Sequence, residues 1–339
     1  MTIQAYVARR LLLVVPLAIG VTLATFIISH LVPSDPVAAN LSEAAQGDPQ
    51  IVRAFRREWG LDRPLYQQYL DYLGHIARGD FGISIQSHRP IIVDLRQYLP
   101  ATVELALSAM ALSVLFGIPL GVVSAAARER LVDRVVRTAT LIGASAPIFW
   151  LALLALYVFY ARLGWFPPPG RLDTGIQPPP AVTGLLTVDG LLAGRWDVMS
   201  NALKHLGLPA LVLGLHQMAY IVRVTRSSMI DVIAQEYIRT ARAKGVGERL
   251  LLYRHALRNA LIPTVTYIGL AFGSLLSGTV IAETVFSWPG VGRYAFQSAT
   301  SLDFPAIVSV ATVIAMIYIV VNLSVDILHV AIDPRIRTG

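Results

Sequence analysis

Six stretches of the chain are apolar enough and long enough to cross a lipid bilayer as helices. A helix needs about 20 mainly apolar residues to span the hydrocarbon core. The predicted spans are Leu11–Val32, Ala101–Ala125, Val135–Tyr160, Leu206–Val222, Leu261–Ala282 and Pro305–Val330. Pro147 inside the third span predicts a kink, because proline has no amide to donate to the preceding turn. The pattern therefore predicts an all-α membrane protein with about six transmembrane helices.

Two long polar connections interrupt the apolar pattern. Residues 33–99 are too charged to enter lipid, and the stretches Ile51–Trp59 and Leu65–Ala77 predict short amphipathic helices in a small cap outside the membrane. Residues 161–204 are rich in Pro and Gly and predict a loop. The chain thus divides into an N-terminus with the first helix (1–32), an extracytoplasmic segment (33–99), a transmembrane domain (100–330) and a tail (331–339).

The distribution of Lys and Arg predicts that both termini face the cytoplasm. With that orientation the inner segments hold 16 of these residues and the outer segments hold 12. The long first outer segment has little influence on topology, and without it the outer count falls to 5. The first span is predicted to be a retained helix rather than a cleaved signal peptide, since no small-residue cleavage site follows it.

The composition agrees with lipid as the main solvent. The chain is 55% hydrophobic and 14% charged, whereas soluble domains carry about 25% charged residues. The net charge of +7 is explained by basic cytoplasmic loops, so we expect membrane lipid and not nucleic acid as a partner. The absence of cysteine excludes disulfides, thiol catalysis and Cys-ligated metal sites.

The polar stretch between the fourth and fifth spans, residues 223–260, predicts a helical hairpin on the cytoplasmic side. One helical face carries Ile230, Ile233, Tyr237 and Ala241, and a second face carries Val246, Leu250, Tyr253 and Leu257. Gly245 lies between them and suits a left-handed helix C-terminus. Such helices either dock in a groove on a partner protein or lie flat on anionic lipid. Recognition of DNA is not expected, because the membrane anchors both ends of the hairpin.

The residues of this hairpin carry a family resemblance. Glu236–Gly245 (EYIRTARAKG) resembles the cytoplasmic loop of binding-protein-dependent ABC importer permeases, and His255–Pro263 (HALRNALIP) resembles the dipeptide/oligopeptide/nickel branch of that family. Aligned on Gly245, only that glycine, Ala241 and Leu257 match the general family pattern. The departures are those of the peptide/nickel branch.

Further short motifs extend the resemblance over nearly the whole chain, and their order and spacing make it specific. They are Arg9–Leu12 (RRLL), Val32–Pro36 (VPSDP, with Ser34 in place of Gly), Trp59–Pro64 (WGLDRP), Gly79–Gly82 (GDFG), Pro100–Thr102 (PAT), Glu283–Gly292 (ETVFSWPGVG) and Asp333–Arg335 (DPR).

The resemblance implies a permease subunit that forms half of a translocation pathway in the cytoplasmic (inner) membrane of a prokaryote. It implies four kinds of partner: a second homologous permease, two cytoplasmic ATPase subunits, an extracytoplasmic solute-binding protein and membrane lipid. The ATPase would receive a coupling loop whose residues are Glu236, Tyr237, Arg239, Ala241, Arg242, Lys244, Gly245, His255, Leu257 and Arg258. The chain contains no P-loop, so no cofactor is expected in it, and ATP would bind to the partner subunits.

Ionisable and polar residues inside spans are costly and often functional. Asn322 and Asp326 are candidate residues of the translocation path. Glu104, Glu283 and Asp326 also fit a plainer interpretation, in which each reaches headgroup water or pairs with an Arg. Trp288 fits either an interfacial aromatic anchor or a gate at the outer mouth.

Two other functional classes stay open at this stage. A secondary transporter would work without an ATPase, but no internal repeat and few midplane charges support it. A membrane enzyme would need a convergent acid, base or nucleophile, and neither such a set nor a metal motif appears in the sequence. Dipeptides, oligopeptides, glutathione and nickel chelates all remain candidate solutes.

Overall fold

The computed structural model describes residues 3–31, 37, 41, 43–58, 60 and 62–332, and this part of the chain is helical with no β-sheet. The N-terminal part contains α1 (Ile3–Leu31), α2 (Glu43–Gln46), α3 (Pro49–Glu58) and α4 (Leu65–Ala77). Tyr69 of α4 lies 3.0 Å from the hydroxyl of Thr22 in α1. The predicted amphipathic helices of the polar segment are therefore present, and the second of them packs against the first span.

The remaining chain forms the larger bundle. Its helices are α5 (Ile91–Ala126), α6 (Leu131–Ser145), α7 (Ile148–Ala155) with a π-helix (Leu156–Arg162), α8 (Leu186–Leu192), α9 (Trp196–Ile233), α10 (Glu236–Ala243), α11 (Glu248–Leu250) with a π-helix (Leu251–Ala256), α12 (Leu257–Gly278), α13 (Val280–Val285), α14 (Val291–Thr300) and α15 (Phe304–Ile332).

Four helices of the described chain are long and apolar enough to cross a membrane: Ile91–Ala126, Trp196–Ile233, Glu248–Leu276 and Phe304–Val325. A fifth candidate is the pair Leu131–Ser145 and Ile148–Arg162, bent by 101°. Pro147 lies at this bend, as predicted, although the break is far sharper than a kink. The all-α membrane fold is confirmed, whereas the count of about six spans and the position of the termini stay predictions.

Several predicted boundaries were wrong because hydropathy marks the apolar part of a helix and not its polar extensions. α9 runs from Trp196 to Ile233 and exceeds the predicted span at both ends. The predicted loop 161–204 therefore contains α8 and the start of α9. α5 likewise begins at Ile91, inside the predicted polar segment. The tail residues 333–339 and the motif residues 32–36, Trp59 and Leu61 lie outside the described residues.

The core forms where α9 packs closely along α5. Gly117 and Gly121 make this approach possible, because a Cβ at these positions would come within 2.8 Å of Ile221 and 2.7 Å of Thr225. Buried residues of α5, α7, α9 and α12 complete the main cluster, among them Leu105, Ala152, Leu213 and Ala271. α9 is thereby the central helix, and it leads directly into the hairpin at one end of the bundle.

Candidate functional site

The predicted hairpin is present between α9 and α12. α9 ends at Ile233, Gln235 is extended with ψ 148°, and α10 begins at Glu236. Gly245 follows α10 with φ +79°, the left-handed conformation that glycine adopts most readily. α11 and the second π-helix then lead into α12. The turn predicted at Gly245 is therefore confirmed.

Buried apolar residues fix the hairpin to the bundle. Ile238, Leu251 and Ala256 are each 0% exposed. They pack in one cluster with Val122 of α5 and Met229 of α9. A movement of the hairpin must therefore displace the adjoining ends of α5 and α9, because closely packed interiors transmit displacement.

The first predicted apolar face was wrong at one position. Tyr237 was placed on the face with Ile233 and Ala241, yet it is 44% exposed, and its neighbour Ile238 is buried instead. The extended residue Gln235 breaks the helix, so the periodicity of α9 does not continue into α10. The hydroxyl of Tyr237 accepts a 2.7 Å hydrogen bond from Asn259.

The second predicted face was wrong because the chain there is a π-helix. Leu250 and Tyr253 were predicted on the apolar face, and they are 49% and 54% exposed. The buried positions are instead Leu251 and Ala256, which are five residues apart, as expected where the backbone bonds are i to i+5. The hairpin consequently exposes three large apolar side chains, those of Tyr237, Leu250 and Tyr253.

Two ion pairs lie at the surface of the hairpin. Arg239 donates to Glu236 at 2.8 Å, and Arg242 donates to Glu248 at 2.7 Å across the Gly245 turn. The hydrogen bond to Glu248 raises the pKa of Arg242. Seven predicted coupling residues are exposed: Glu236, Tyr237, Arg239, Arg242, Lys244, Gly245 and Arg258. Three are half-buried: Ala241, His255 and Leu257.

A buried ion pair lies above the hairpin and was missed from the sequence. Asp133 of α6 is wholly buried and accepts two hydrogen bonds from Arg226 of α9, at 2.7 and 2.8 Å. Ser124 of α5 and the amide of Glu129 also donate to it, at 2.6 and 2.9 Å. This carboxylate therefore joins α5, α6 and α9. The sequence offered one signal for this site: Asp133 is an acidic residue in the first turn of α6, a position where the helix dipole favours a negative charge.

At the opposite end of the bundle two carboxylates are also buried. Glu104 pairs with Arg171 at 2.5 Å, as the plainer interpretation predicted. Glu283 is wholly buried and accepts hydrogen bonds from the hydroxyls of Thr102 and Thr279, at 2.6 and 2.8 Å. The interpretation that Glu283 reaches headgroup water or an Arg side chain was therefore wrong.

Trp288 forms part of the same buried corner. Its side chain is 1% exposed, and its indole nitrogen donates to the backbone oxygen of Ala101 at 2.8 Å. Gly290 follows in the tight connection to α14, and a Cβ there would overlap the carboxyl group of Glu283. Trp288 is thus a packed core residue, and its interpretation as an interfacial anchor was wrong.

The candidate path residues lie on α15. Asn322 is half-buried, and the side chain of Asp326 lies outside the described residues. Within the part of the chain that was described, no group of three or more His, Cys, Asp or Glu side chains could hold a metal ion.

Comparison with known proteins identifies a family. The model described as "Binding-protein-dependent transport system inner membrane component" matches residues 117–338, and its N-terminal companion matches residues 3–106. The probable D,D-dipeptide transport system permease protein DdpB of Escherichia coli is 44% identical over 100% of this chain and 99% of that protein. The dipeptide transport system permease protein DppB of Alkalihalophilus pseudofirmus is 43% identical over 98% of this chain and 99% of that protein.

A third relative is named for a different solute. The glutathione transport system permease protein GsiC of Salmonella choleraesuis is 38% identical over 98% of each chain. Among solved structures, a chain of the MetNI methionine ABC transporter aligns with a TM-score of 0.49 at 15% identity, covering 69% of this chain and 93% of that one.

Proposed function

The chain belongs to the family of inner membrane components of binding-protein-dependent transport systems, and from this premise we propose that it carries peptides. It is the transmembrane permease subunit of an ATP-binding-cassette importer in a prokaryotic inner membrane. Such a subunit works with a partner permease, ATPase subunits and a solute-binding protein. The alternative of a secondary transporter finds no support among relatives that are named as permease proteins of transport systems.

The finer assembly is part of the proposal. One second homologous permease would complete the pathway, two ATPase subunits would bind from the cytoplasm, and one binding protein would dock outside. Both termini and the hairpin would face the cytoplasm, and residues 33–99 would lie outside. The inner ends hold more Lys and Arg than the short outer loops, which supports this orientation.

The hairpin is proposed as the coupling element, and its exposed apolar side chains carry this proposal. Tyr237, Leu250 and Tyr253 are 44–54% exposed, while neighbouring residues fasten the hairpin to the bundle. Exposed apolar residues on a fixed helical element are typical of a protein-docking surface.

The alternative occupant of this surface is anionic lipid. Lipid-binding amphipathic helices present Lys and Arg to negatively charged headgroups. On this hairpin Arg239 and Arg242 are paired with Glu236 and Glu248. Four further cations are exposed: Lys244, Arg249, Arg254 and Arg258. The charges therefore fit either surface, and membership in a family of transport-system components favours a cleft on the ATPase subunit.

The proposed mechanism transmits force through the residues that anchor the hairpin. ATP-driven closure of the ATPase subunits would shift α10 and α11. Ile238 and Leu251 would transfer this shift to α5 and α9, and the Asp133–Arg226 pair would carry it to α6. These helices would then alternate between inward and outward access. Asn322 and Asp326 remain proposed residues of the path.

Two substitutions in the hairpin test this role. We expect Gly245→Val and Tyr237→Asp to abolish uptake and co-purification of the ATPase, while the protein still reaches the membrane. Gly245 needs the left-handed conformation at φ +79°, which a β-branched residue rarely adopts. Gly247→Val is the matched control, since Gly247 has φ −61° and no atom near its Cβ position.

Retained uptake and ATPase binding in both hairpin variants would show that the hairpin does not couple. The solute class needs a separate measurement, in which dipeptides, glutathione and nickel chelates compete for uptake by the reconstituted importer. We expect dipeptides to compete best, because the relatives at 43–44% identity are named as dipeptide or D,D-dipeptide permeases.

A further inference from the structure

Three neighbouring helices cover most of α9. α5 packs against the side that carries Ile221 and Thr225. α12 contacts the side that carries Gln217, which accepts a 3.0 Å hydrogen bond from Tyr267. α6 contacts a third side, where Asp133 binds Arg226. On a helical wheel these contacts leave one longitudinal face of α9 away from α5 and α6, and α12 meets the edge of that face through the ring of Tyr267.

This face is polar. At 100° per residue, His216, Tyr220, Arg223 and Ser227 follow one another along this face. His216 and Tyr220 are half-buried, whereas Arg223 and Ser227 are exposed. α9 is apolar enough to span a membrane, yet a cation and a histidine on this face would be costly against lipid. The face therefore fits contact with water or solute.

The aromatic rings on this face form a continuous contact with α12. The ring centres of His216 and Tyr220 are 5.6 Å apart, and those of Tyr220 and Tyr267 are 5.9 Å apart and stacked. The guanidinium carbon of Arg223 lies 5.5 Å from the ring centre of Tyr220. Four side chains from two helices thus form one stripe, defined here as the α9 stripe: His216, Tyr220, Arg223 and Tyr267.

The α9 stripe carries a positive charge, for which the described side chains supply no counterion. Among the described residues no carboxylate forms an ion pair with Arg223. In the same part of the chain, Nδ1 of His216 is buried without a hydrogen-bond partner. Arg223 alone could reach a lipid headgroup, but His216 lies about 10 Å further along the helix at 1.5 Å per residue. A passing solute can contact both residues.

We propose that the α9 stripe lines the solute path of this subunit and that Arg223 binds the carboxylate group of the passing solute. Guanidinium groups bind carboxylates strongly. The faces of the tyrosine rings offer contact area that does not depend on the side chains of the solute. This inference rests on the proposed function as an importer subunit, and it adds the path surface and the solute group that it recognises.

The cysteine-free chain allows a direct test by thiol accessibility. Single variants His216→Cys and Tyr220→Cys are prepared in the complete importer, with Leu215→Cys as the matched control on a neighbouring face of α9. The probes are membrane-impermeant methanethiosulfonates carrying either a sulfonate or a trimethylammonium group. We expect both stripe variants to react at least 10-fold faster than Leu215→Cys. The sulfonate should react several-fold faster than the cationic reagent, and Arg223→Gln should remove that preference.

Transport supplies the second measurement. Arg223→Gln should lower uptake of a free dipeptide such as Ala-Ala at least 10-fold, with the affinity of the binding protein and the association of the ATPase unchanged. Arg162→Gln is the matched control, since its guanidinium lies 5.2 Å from the Tyr157 ring centre outside the α9 stripe. We expect that control to transport at the wild-type rate.

Three outcomes would overturn the inference: unreactive thiols in both stripe variants, equal reactivity at Leu215→Cys, or unchanged uptake in Arg223→Gln. Unreactive thiols would assign this face to lipid or to the second permease. These outcomes are distinguishable from failure of the proposed function, which would appear as ATP-independent uptake by the wild-type complex.

Discussion

The exposed surface of the hairpin and its interface with the bundle use the same residue types in opposite ways. Leu250 is 49% exposed, and the next residue, Leu251, is wholly buried. Arg242 and Glu248 pair at the surface, whereas Arg226 pairs with the wholly buried Asp133. In the hairpin, therefore, the type of a residue does not tell whether it anchors the hairpin to the bundle or is free to contact a partner protein. The position of each side chain relative to the bundle decides which role it has.

The sharpest way to break this comparison is to truncate the two adjacent leucines separately. Leu251→Ala removes a wholly buried side chain and should lower the free energy of unfolding by about 4 kcal/mol. Leu250→Ala should leave stability unchanged and weaken ATPase association by about 10-fold. Chemical denaturation in detergent and co-purification measure the two effects. Equal loss of stability in both variants would mean that Leu250 is not a free docking residue.

The two ion pairs give the next largest difference. Arg226→Leu leaves the buried Asp133 with only the more distant Arg137, at 3.8 Å. The change should cost about 3 kcal/mol, toward the lower end for a broken buried pair, because Arg226 is 19% exposed and Arg137 remains. Arg242→Leu should leave the melting temperature unchanged, since exposed pairs contribute little. The melting temperatures of the two purified variants check this. A larger fall in melting temperature for Arg242→Leu than for Arg226→Leu would show that the surface pair, and not the buried pair, stabilises the fold.

A third prediction concerns the buried corner at the other end of the bundle. Gly290→Ala places a methyl group against the carboxyl group of Glu283, and such overpacking should cost about 2 kcal/mol. Gly74→Ala is the control, because no atom lies within 4 Å of its Cβ position. Thermal unfolding of the two variants tests the expectation. A fully stable Gly290→Ala protein would show that the corner has room to relax.

The smallest expected effect is a pH dependence in the connection between α7 and α8. Hydrogen bonds from Asn201 and then His205 lower the pKa of Asp173. A lowered pKa stabilises the folded state above the unfolded pKa, which is ~4 for Asp, and this stability is lost as pH falls through the folded pKa. Melting temperatures of wild type and Asp173→Asn should therefore differ at pH 7 and converge in acid. Parallel curves at every pH would exclude this contribution.

Local signals in the sequence predicted much of the fold and part of the candidate site. The apolar stretches located the main helices, and Gly245 located the turn of the hairpin. The faces of α10 and α11 could not be predicted, because the break at Gln235 and the π-helix after Leu250 change the helical phase. The Asp133–Arg226 pair joins residues 93 positions apart, and no local pattern contains that information.

The sequence by itself determined that lipid is the main solvent of this chain, that it is helical, and that its motifs are those of an importer permease. These properties follow from hydropathy, helical period and motif order, which are read over neighbouring residues. Only the tertiary structure decided that Tyr237 and Leu250 face outward, that Glu283 and Trp288 are buried, and that one polar face of α9 lies away from α5 and α6. Each of those outcomes depends on which helix packs against which, because burial is set by contacts between residues distant in the chain.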